Sequence, residues 1–477
     1  MIHIETVHDY QIFQQTDGFA DIPVRGTVRF EEKTLENIML LLLREDDSTL
    51  VTAPVIVPIV SDGTFSATIH APTGGHYTLL CSLCNQVFAD DLTSATDWPD
   101  AGHGAIPSTA IYHIGVGEIF LIAGQSNASG VGKTPGFDPP HPLVHLCRNS
   151  LTWTTAAHPT NDATDTAHPE NADFYLPGTS PYLRFGTTMC RALGCPIGLI
   201  AVSKGDTYLG QWLPESDETQ AQYPLPDCYP AGSLWRVVEM AVAAVGGRIA
   251  GVAWYQGEND ADDDAMCTAY AERFARFVGH VRTLCRDSAL PFFTVQINKA
   301  TDGRTTDVHC GMMREAQRQA AHRIPRVFVV PAHDLPMSDA VHNNTAANGV
   351  IGERLAWSAL ENVYGKPYFG KAPDATAAKR ELNGKEMRIR VTFANVVMGL
   401  VDFGCTAQLC HLRTANGMSL PIHRAICKGS ELILDTAPCD GVLYFDFATD
   451  SLPAVPVSPI DRGTGMPPLG VYRLPVA

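Results

Sequence analysis

The chain is poor in positive charge: 34 Lys and Arg stand against 51 Asp and Glu, a formal net charge of −17 over 477 residues. A surface that holds nucleic acid or an anionic membrane needs clustered Lys and Arg, so neither is expected as a partner. Acidic small substrates stay open, because one local Arg or Lys overrides the average. The chain also lacks any run of ~18 apolar residues, the length a membrane-crossing helix requires. Its first residues, Met-Ile-His-Ile-Glu-Thr, lack the basic-then-apolar order of a secretory leader. A disulfide framework is missing too: the 13 cysteines are an odd number, thinly spread and mostly inside apolar stretches. That favours free thiols in a reducing compartment. The cytoplasm is therefore expected, with a secreted or periplasmic protein that has shed its leader as the alternative. Cys81 and Cys84 make one Cys-x-x-Cys pair. With no second pair at zinc spacing nearby, two strand cysteines are expected there rather than redox or metal chemistry.

What the chain does have is apolar material, 45% of residues with only 18% charged, the balance of a well-packed globular protein. At ~150 residues per domain the length suggests about three. Residues 1–113 read as a β-sandwich-like module, with strand-like runs at 24–30, 37–44, 63–69 and 77–81 separated by Asp-Gly, Pro and Gly-Gly punctuation. Residues 114–365 alternate. Apolar runs at 118–123, 196–202, 249–255, 291–297 and 326–331 are separated by helical stretches such as 233–245, 270–286 and 311–322. This order implies a parallel sheet with helices on both faces and a site outside the carboxyl ends of its strands. Residues 366–477 turn β again, at 388–393, 432–434 and 442–447, as a C-terminal module expected to pair with the N-terminal one. The 135–177 segment is rich in His, Asp and Pro; a long loop walling the cleft is expected there.

Three of the five apolar runs end in polar blocks. The first runs into Gly124-Gln125-Ser126-Asn127, the second into Ser203-Lys204-Gly205-Asp206-Thr207 with Gln211-Trp212 beyond, the third into Trp254-Tyr255-Gln256-Gly257-Glu258-Asn259. Farther on, Asp339-Ala-Val-His342 precedes a Gly-rich helix start, and Val363-Tyr364-Gly365 closes that helix. A serine delivered at a strand end and followed by a helix presents its hydroxyl where the first N–H groups can stabilise negative charge. An ordinary N-cap serine is the bland alternative. A competing pattern, Asn127-Ala-Ser-Gly-Val-Gly132-Lys133-Thr134, has Asn where a phosphate loop needs its first Gly, so a nucleotide site is not expected.

In this order the blocks resemble the SGNH hydrolase superfamily, specifically its carbohydrate-esterase branch of the sialate O-acetylesterase type, across roughly residues 114–365. The fold this resemblance implies is α/β: a three-layer SGNH-hydrolase (flavodoxin-like) parallel sheet domain, flanked here by N-terminal and C-terminal β modules. One departure is visible: Asp206 stands where the family usually has a second Gly. The implied activity is a serine esterase that removes O-acetyl groups from carbohydrate through an acyl-enzyme, without metal or cofactor. Sialic acid is the preferred sugar, because the resemblance reaches into the N-terminal module; acetylated xylan or another polysaccharide is the alternative. A carbohydrate-binding protein that has lost turnover is the rival of another class.

Ester hydrolysis needs a nucleophile, a base, a group that orients the base and donors for the oxyanion. Ser126 is the candidate nucleophile. His342 is the base, since an imidazole of ordinary pKa near ~6.5 suits proton transfer at neutral pH. Asp339, three positions earlier in a turn, can reach its other nitrogen. For the oxyanion the resemblance points to the backbone N–H groups of Ser126 and Gly205 and to the side-chain amide of Gln256. Gln125, Asn127, Glu258 and Trp212 are expected around them or against substrate. Glu258 has three readings: orienting His342, holding Gln256, or capping the next helix. Trp212 has two, a platform for a sugar ring or core packing. Glu258, Asp260, Asp262, Asp263 and Asp264 lack the spacing of a calcium loop and are expected to be a solvated helix N-terminus.

Overall fold

The computed structural model describes residues 1–29, 36–84, 108–134, 136–162, 165–173, 177–383, 386–453 and 455–477. Residue 30 of the expected 24–30 strand, and residues 135, 163–164 and 174–176 of the expected cleft loop, lie outside them.

One strand organises the molecule. Ser108–Gly124 is 17 residues long and buried from Ile114 onward. Its first half pairs antiparallel with Gly74–Cys84, from Ser82 opposite Ser108 to Gly74 opposite Val116. Its second half lies parallel between Ile197–Ser203 and Gly251–Tyr255, with both Ser203 and Tyr255 level with Gly124. The strand therefore runs straight across the expected boundary at 113/114, carrying the first module's sheet into the central one. Gly74–Cys84 pairs in turn with Asn37–Arg44, while Ile2–Ile4, Phe19–Val28 and Thr64–Pro72 form a separate three-stranded sheet. The core between them is mainly aliphatic, with Ile22, Val24, Leu40, Leu42, Leu79 and Val116 all buried.

In the central sheet the strands Ile197–Ser203, Ser108–Gly124, Gly251–Tyr255, Phe292–Gln296 and Val327–Pro331 lie side by side, all parallel. Numbered along the chain, that is the order 2-1-3-4-5, which reverses direction at the first strand and opens a crevice at the carboxyl ends beside it. All five expected apolar runs are strands. The strands Phe292–Gln296 and Gly251–Tyr255 are buried throughout, which explains why they read as continuous apolar runs rather than alternating ones. Helices Tyr182–Leu193 and Thr345–Asn362 pack on each other, as do Asp264–Cys285 and Asp307–Arg323.

Two expectations are corrected. The 135–177 segment is not one long loop: Val144–Cys147 adds a parallel strand beside Ile197–Ser203, and Trp153–Thr155 pairs antiparallel outside it. A fully buried four-residue strand is too short to produce a periodic signal amid Pro and His. Nor do the terminal modules pair with each other: among the described residues, their strands belong to different sheets. The C-terminal module forms an eight-stranded sheet and grips the central domain through Arg314. That buried side chain donates to the carbonyls of Ile297 (3.0 Å), Asn298 (2.9 Å) and Ala448 (2.7 Å). A guanidinium with its donors so occupied joins two layers without leaving a buried polar group unpaired.

Candidate active site

The crevice is built from the strand ends inward. At Gly124 the backbone takes φ +140°, and a Cβ there would lie 2.0 Å from the Tyr255 carbonyl oxygen. Only glycine permits both the conformation and the approach. The chain turns and begins the short helix Ser126–Ser129. Ser126 is its first residue, so its N–H falls outside the intrahelical ladder.

His342 meets Ser126 from a loop more than two hundred residues later. Its Nε2 lies 2.9 Å from Ser126 Oγ, and its Nδ1 lies 2.9 Å from Asp339 Oδ2. Asp339 Oδ1 accepts the backbone N–H groups of Val341 (3.0 Å) and His342 (2.9 Å), so the carboxylate shapes the turn that carries the imidazole. Partial burial opposes ionisation of Asp339, but the Val341 N–H and the His342 ring outweigh it and hold the carboxyl below the usual range. Hydroxyl, imidazole and carboxylate thus form one chain of hydrogen bonds. Such a chain can draw the proton from the hydroxyl oxygen as that oxygen attacks a carbonyl.

Asn127 fixes the loop against the serine helix. Its Oδ1 accepts the Asn343 N–H (2.9 Å), and its Nδ2 donates to the Val341 carbonyl (3.2 Å) and to Glu258 Oε1 (2.7 Å). Gln125 does the same for the third block: its Oε1 accepts the N–H groups of Gly257 and Glu258, each at 3.1 Å. Both residues therefore hold the loops in register rather than facing outward.

Glu258 Oε2 is buried without a hydrogen-bond partner, and burial raises the carboxyl to about 7 despite the Asn127 amide. The acidic cluster divides. Asp263 caps the helix Asp264–Cys285 by accepting from Ala265 and Met266, as expected of a helix start. Asp260, by contrast, is fully buried and not solvated. It accepts from the Leu209 N–H (3.0 Å) and from Gln256, and burial raises it to about 7.

The departure at Asp206 is accommodated. The residue takes φ +54°, a left-handed conformation that Asp tolerates better than most side chains. Its carboxylate accepts from Asn259 Nδ2 (2.6 Å) and Tyr229 OH (3.0 Å). No pattern in the chain marks Tyr229 for this contact.

One expected role changes, one expected donor carries a second contact, and one of two readings is selected. Gln256 Nε2 donates to the Thr207 carbonyl (3.0 Å) and to Asp260 Oδ2. A primary amide has two N–H groups, and both are spent inside the protein, so Gln256 is not aimed at an oxyanion. The Gly205 N–H donates to Asp173 Oδ2 at 2.8 Å, a contact nothing in the sequence foretold. Trp212 is 0% exposed, stacked edge-on against Trp254 at 5.0 Å, with Nε1 donating to Thr207 Oγ1. It is a core residue and offers no face to a sugar. Cys81 and Cys84 are buried strand cysteines as expected, and burial pushes the Cys81 thiol up to about 12.

Residues 116–361 match the family described as carbohydrate esterase, sialic acid-specific acetylesterase. A probable carbohydrate esterase of Arabidopsis thaliana is 26% identical over 267 residues, which is 51% of this chain and 91% of the plant protein. The crystal structure of a carbohydrate acetylesterase from Xanthomonas citri superposes with a TM-score of 0.67 at 18% identity, covering 98% of this chain and 99% of that one. At that identity the likeness is one of fold, and it extends over nearly the whole chain.

Proposed function

The chain belongs to this carbohydrate esterase family, and from that membership we propose that it hydrolyses O-acetyl esters of a sugar with Ser126 as nucleophile, His342 as base and Asp339 as the carboxylate that orients the base. The observation that carries the reading is the position of His342, 2.9 Å from the hydroxyl on one side and 2.9 Å from the carboxylate on the other. Ser126 Oγ attacks the acetyl carbonyl carbon and passes its proton to His342 Nε2. The imidazolium then protonates the departing sugar oxygen. Water, deprotonated by the same nitrogen, attacks the acetyl-serine, releasing acetate and restoring the hydroxyl. The oxyanion is received by the backbone N–H of Ser126 and by that of Gly205, where the acetyl oxygen replaces the Asp173 carboxylate as acceptor. Each such donor is worth ~2.7–4 kcal/mol of transition-state stabilisation. The strand order 2-1-3-4-5 supports a three-layer SGNH arrangement in which this chemistry sits at the switch point.

The family description supports an acetylated sialic acid as substrate. A neutral acetylated polysaccharide such as xylan is the second reading, and local charge favours it. Asp173 and Asp206 sit at the Gly205 turn, while Lys204 Nζ is engaged by the Glu170 carbonyl at 2.7 Å. A sialate carboxylate would enter next to two others. Acetate release from O-acetylated sialic acids and from acetylated xylo-oligosaccharides, side by side, separates the two. A sialate preference of tenfold or more supports the first, and the reverse ratio replaces it with the second.

A further inference from the structure

At the opposite end of the long strand, where it joins the first module, imidazoles gather around a carboxylate. Glu45 follows the strand Asn37–Arg44, His76 lies on Gly74–Cys84, and His113 lies on Ser108–Gly124. Among the described residues, one ligand atom from each of these three lies within 4.8 Å of the other two.

The hydrogen bonds fix which atoms face inward. Glu45 Oε1 accepts the His113 backbone N–H (2.5 Å) and the Thr78 hydroxyl (3.2 Å). Its other oxygen, Oε2, faces the two rings: it accepts a hydrogen bond from His113 Nδ1 at 2.8 Å, a proton that a bound metal ion would displace to Nε2, and it lies 3.8 Å from His76 Nδ1. On the far side of His76, Nε2 lies 2.9 Å from the Pro142 carbonyl oxygen. A carbonyl only accepts, so Nε2 carries the hydrogen, and in a neutral ring Nδ1 presents its lone pair. That lone pair points toward a carboxylate oxygen too distant for a hydrogen bond. Two electron-rich atoms held face to face repel unless a proton or a metal cation lies between them. His145 closes the back of the cluster: its Nδ1 donates to the Tyr10 carbonyl at 2.6 Å, and its Nε2 lies 3.2 Å from His76 Nε2.

We propose that Glu45 Oε2 and the Nδ1 atoms of His76 and His113 bind a divalent transition-metal cation of the zinc type, tying together three neighbouring strands of the first module. Two imidazoles and one carboxylate suit zinc; calcium and magnesium take mainly oxygen ligands. Ligands at ~2.0–2.1 Å from a tetrahedral ion stand roughly 3.4 Å apart. The two Glu45–His separations, 2.8 and 3.8 Å, bracket that value, and the ligand atoms of all three residues lie within 4.8 Å of one another, with water as fourth ligand. The outer contacts are of the kind metal sites use: the second nitrogen of His76 donates to a backbone carbonyl, and the second oxygen of Glu45 is anchored by two donors. The three side chains keep 20–37% exposure, so the ion enters from solvent. The role is structural. His113 precedes Gly124 by eleven residues on one strand, roughly 35 Å at ~3.3 Å per residue, so the ester chemistry proceeds without this ion.

The test is zinc uptake by the full chain after stripping with chelator and dialysis, counted against His113→Ala and Glu45→Gln. All three proteins keep the same cysteines, including the exposed Cys228, so thiol binding cancels in the comparison. The wild type should hold one more zinc equivalent than either variant. X-ray absorption should show that added ion with nitrogen and oxygen neighbours, and zinc should raise Tm in the wild type alone. Glu45→Gln keeps an acceptor for the His113 N–H, so it carries the test should His113→Ala fold poorly. Equal zinc counts in wild type and Glu45→Gln, or sulfur neighbours around the added ion, would overturn the proposal.

Discussion

His342 and His76 each set a ring nitrogen toward a carboxylate, near opposite ends of the strand Ser108–Gly124, and they differ in what the other nitrogen meets. His342 Nε2 faces a hydroxyl at 2.9 Å, a group that can give up a proton. His76 Nε2 faces a carbonyl oxygen at 2.9 Å, which has none to give. The first arrangement lets the ring accept a proton through Nε2 while Asp339 steadies the charge. The second fixes the tautomer and leaves Nδ1 as a lone-pair donor. On the two proposals, the same two residue types serve as a base in one place and a ligand in the other, decided by the partner of the second nitrogen.

The largest effect that sharpens this contrast is at the hydroxyl. Ser126→Ala should abolish acetate release while leaving the thermal unfolding curve in place, because no second nucleophile stands at the strand end. Retention of more than about a few per cent of activity would break the assignment, since loss of a nucleophile removes the covalent route itself.

Next comes the carboxylate beside each ring. Asp339→Asn should lower turnover by up to ~10⁴-fold, the scale seen when the group that sets a catalytic tautomer is lost. Glu258→Gln should cost much less, because Glu258 Oε1 is bound to Asn127 Nδ2 and its share is to brace the loop. Turnover of both variants on a soluble acetyl ester at neutral pH decides between them. A larger loss in Glu258→Gln would move the supporting role to the third strand.

Glu258 also carries a pH signature. Burial raises its carboxyl from 4.5 to about 7, so the folded chain binds that proton more tightly than the unfolded chain does. Stability from this group is therefore present below about 4.5, falls as pH rises toward about 7, and is flat beyond. Glu258→Gln cannot ionise and escapes the loss, so its Tm relative to wild type should be higher at pH ~8 than at pH ~5. Asp260 shifts in the same direction, but it is common to both proteins and cancels. An equal difference at the two pH values would contradict the burial described for Glu258.

The smallest expected effect on rate is that of chelation. EDTA should leave turnover unchanged and lower Tm, because the proposed ion ties strands of the first module together and takes no part in the ester chemistry. A parallel loss of turnover, restored by zinc, would erase the distinction between the two histidines.

Legibility in the sequence followed locality. Asp339 and His342 lie in one turn, and Ser126 follows an apolar run, so their types and spacing announce them. The five central strands are continuous apolar runs because both faces are covered. Glu45, His76 and His113 come from three strands joined by antiparallel pairing, and no spacing along the chain relates them. Gln256 and Trp212 stand in expected motifs, yet the direction of an amide or a ring depends on Asp260, Thr207 and Trp254, which only packing brings near. The Asp173 contact with Gly205 was hidden for the same reason, and the strand Val144–Cys147 because four residues among prolines leave no period.

The central claim is that Ser126 is a nucleophile activated by His342 and Asp339, and covalent labelling by a fluorophosphonate tests it most directly. Intact-mass measurement should find one adduct on the wild type, mapped to Ser126, none on Ser126→Ala, and much slower labelling of Asp339→Asn. A wild type that gains no mass, as a protein that only binds carbohydrate would, or an adduct formed equally on Ser126→Ala, would contradict it.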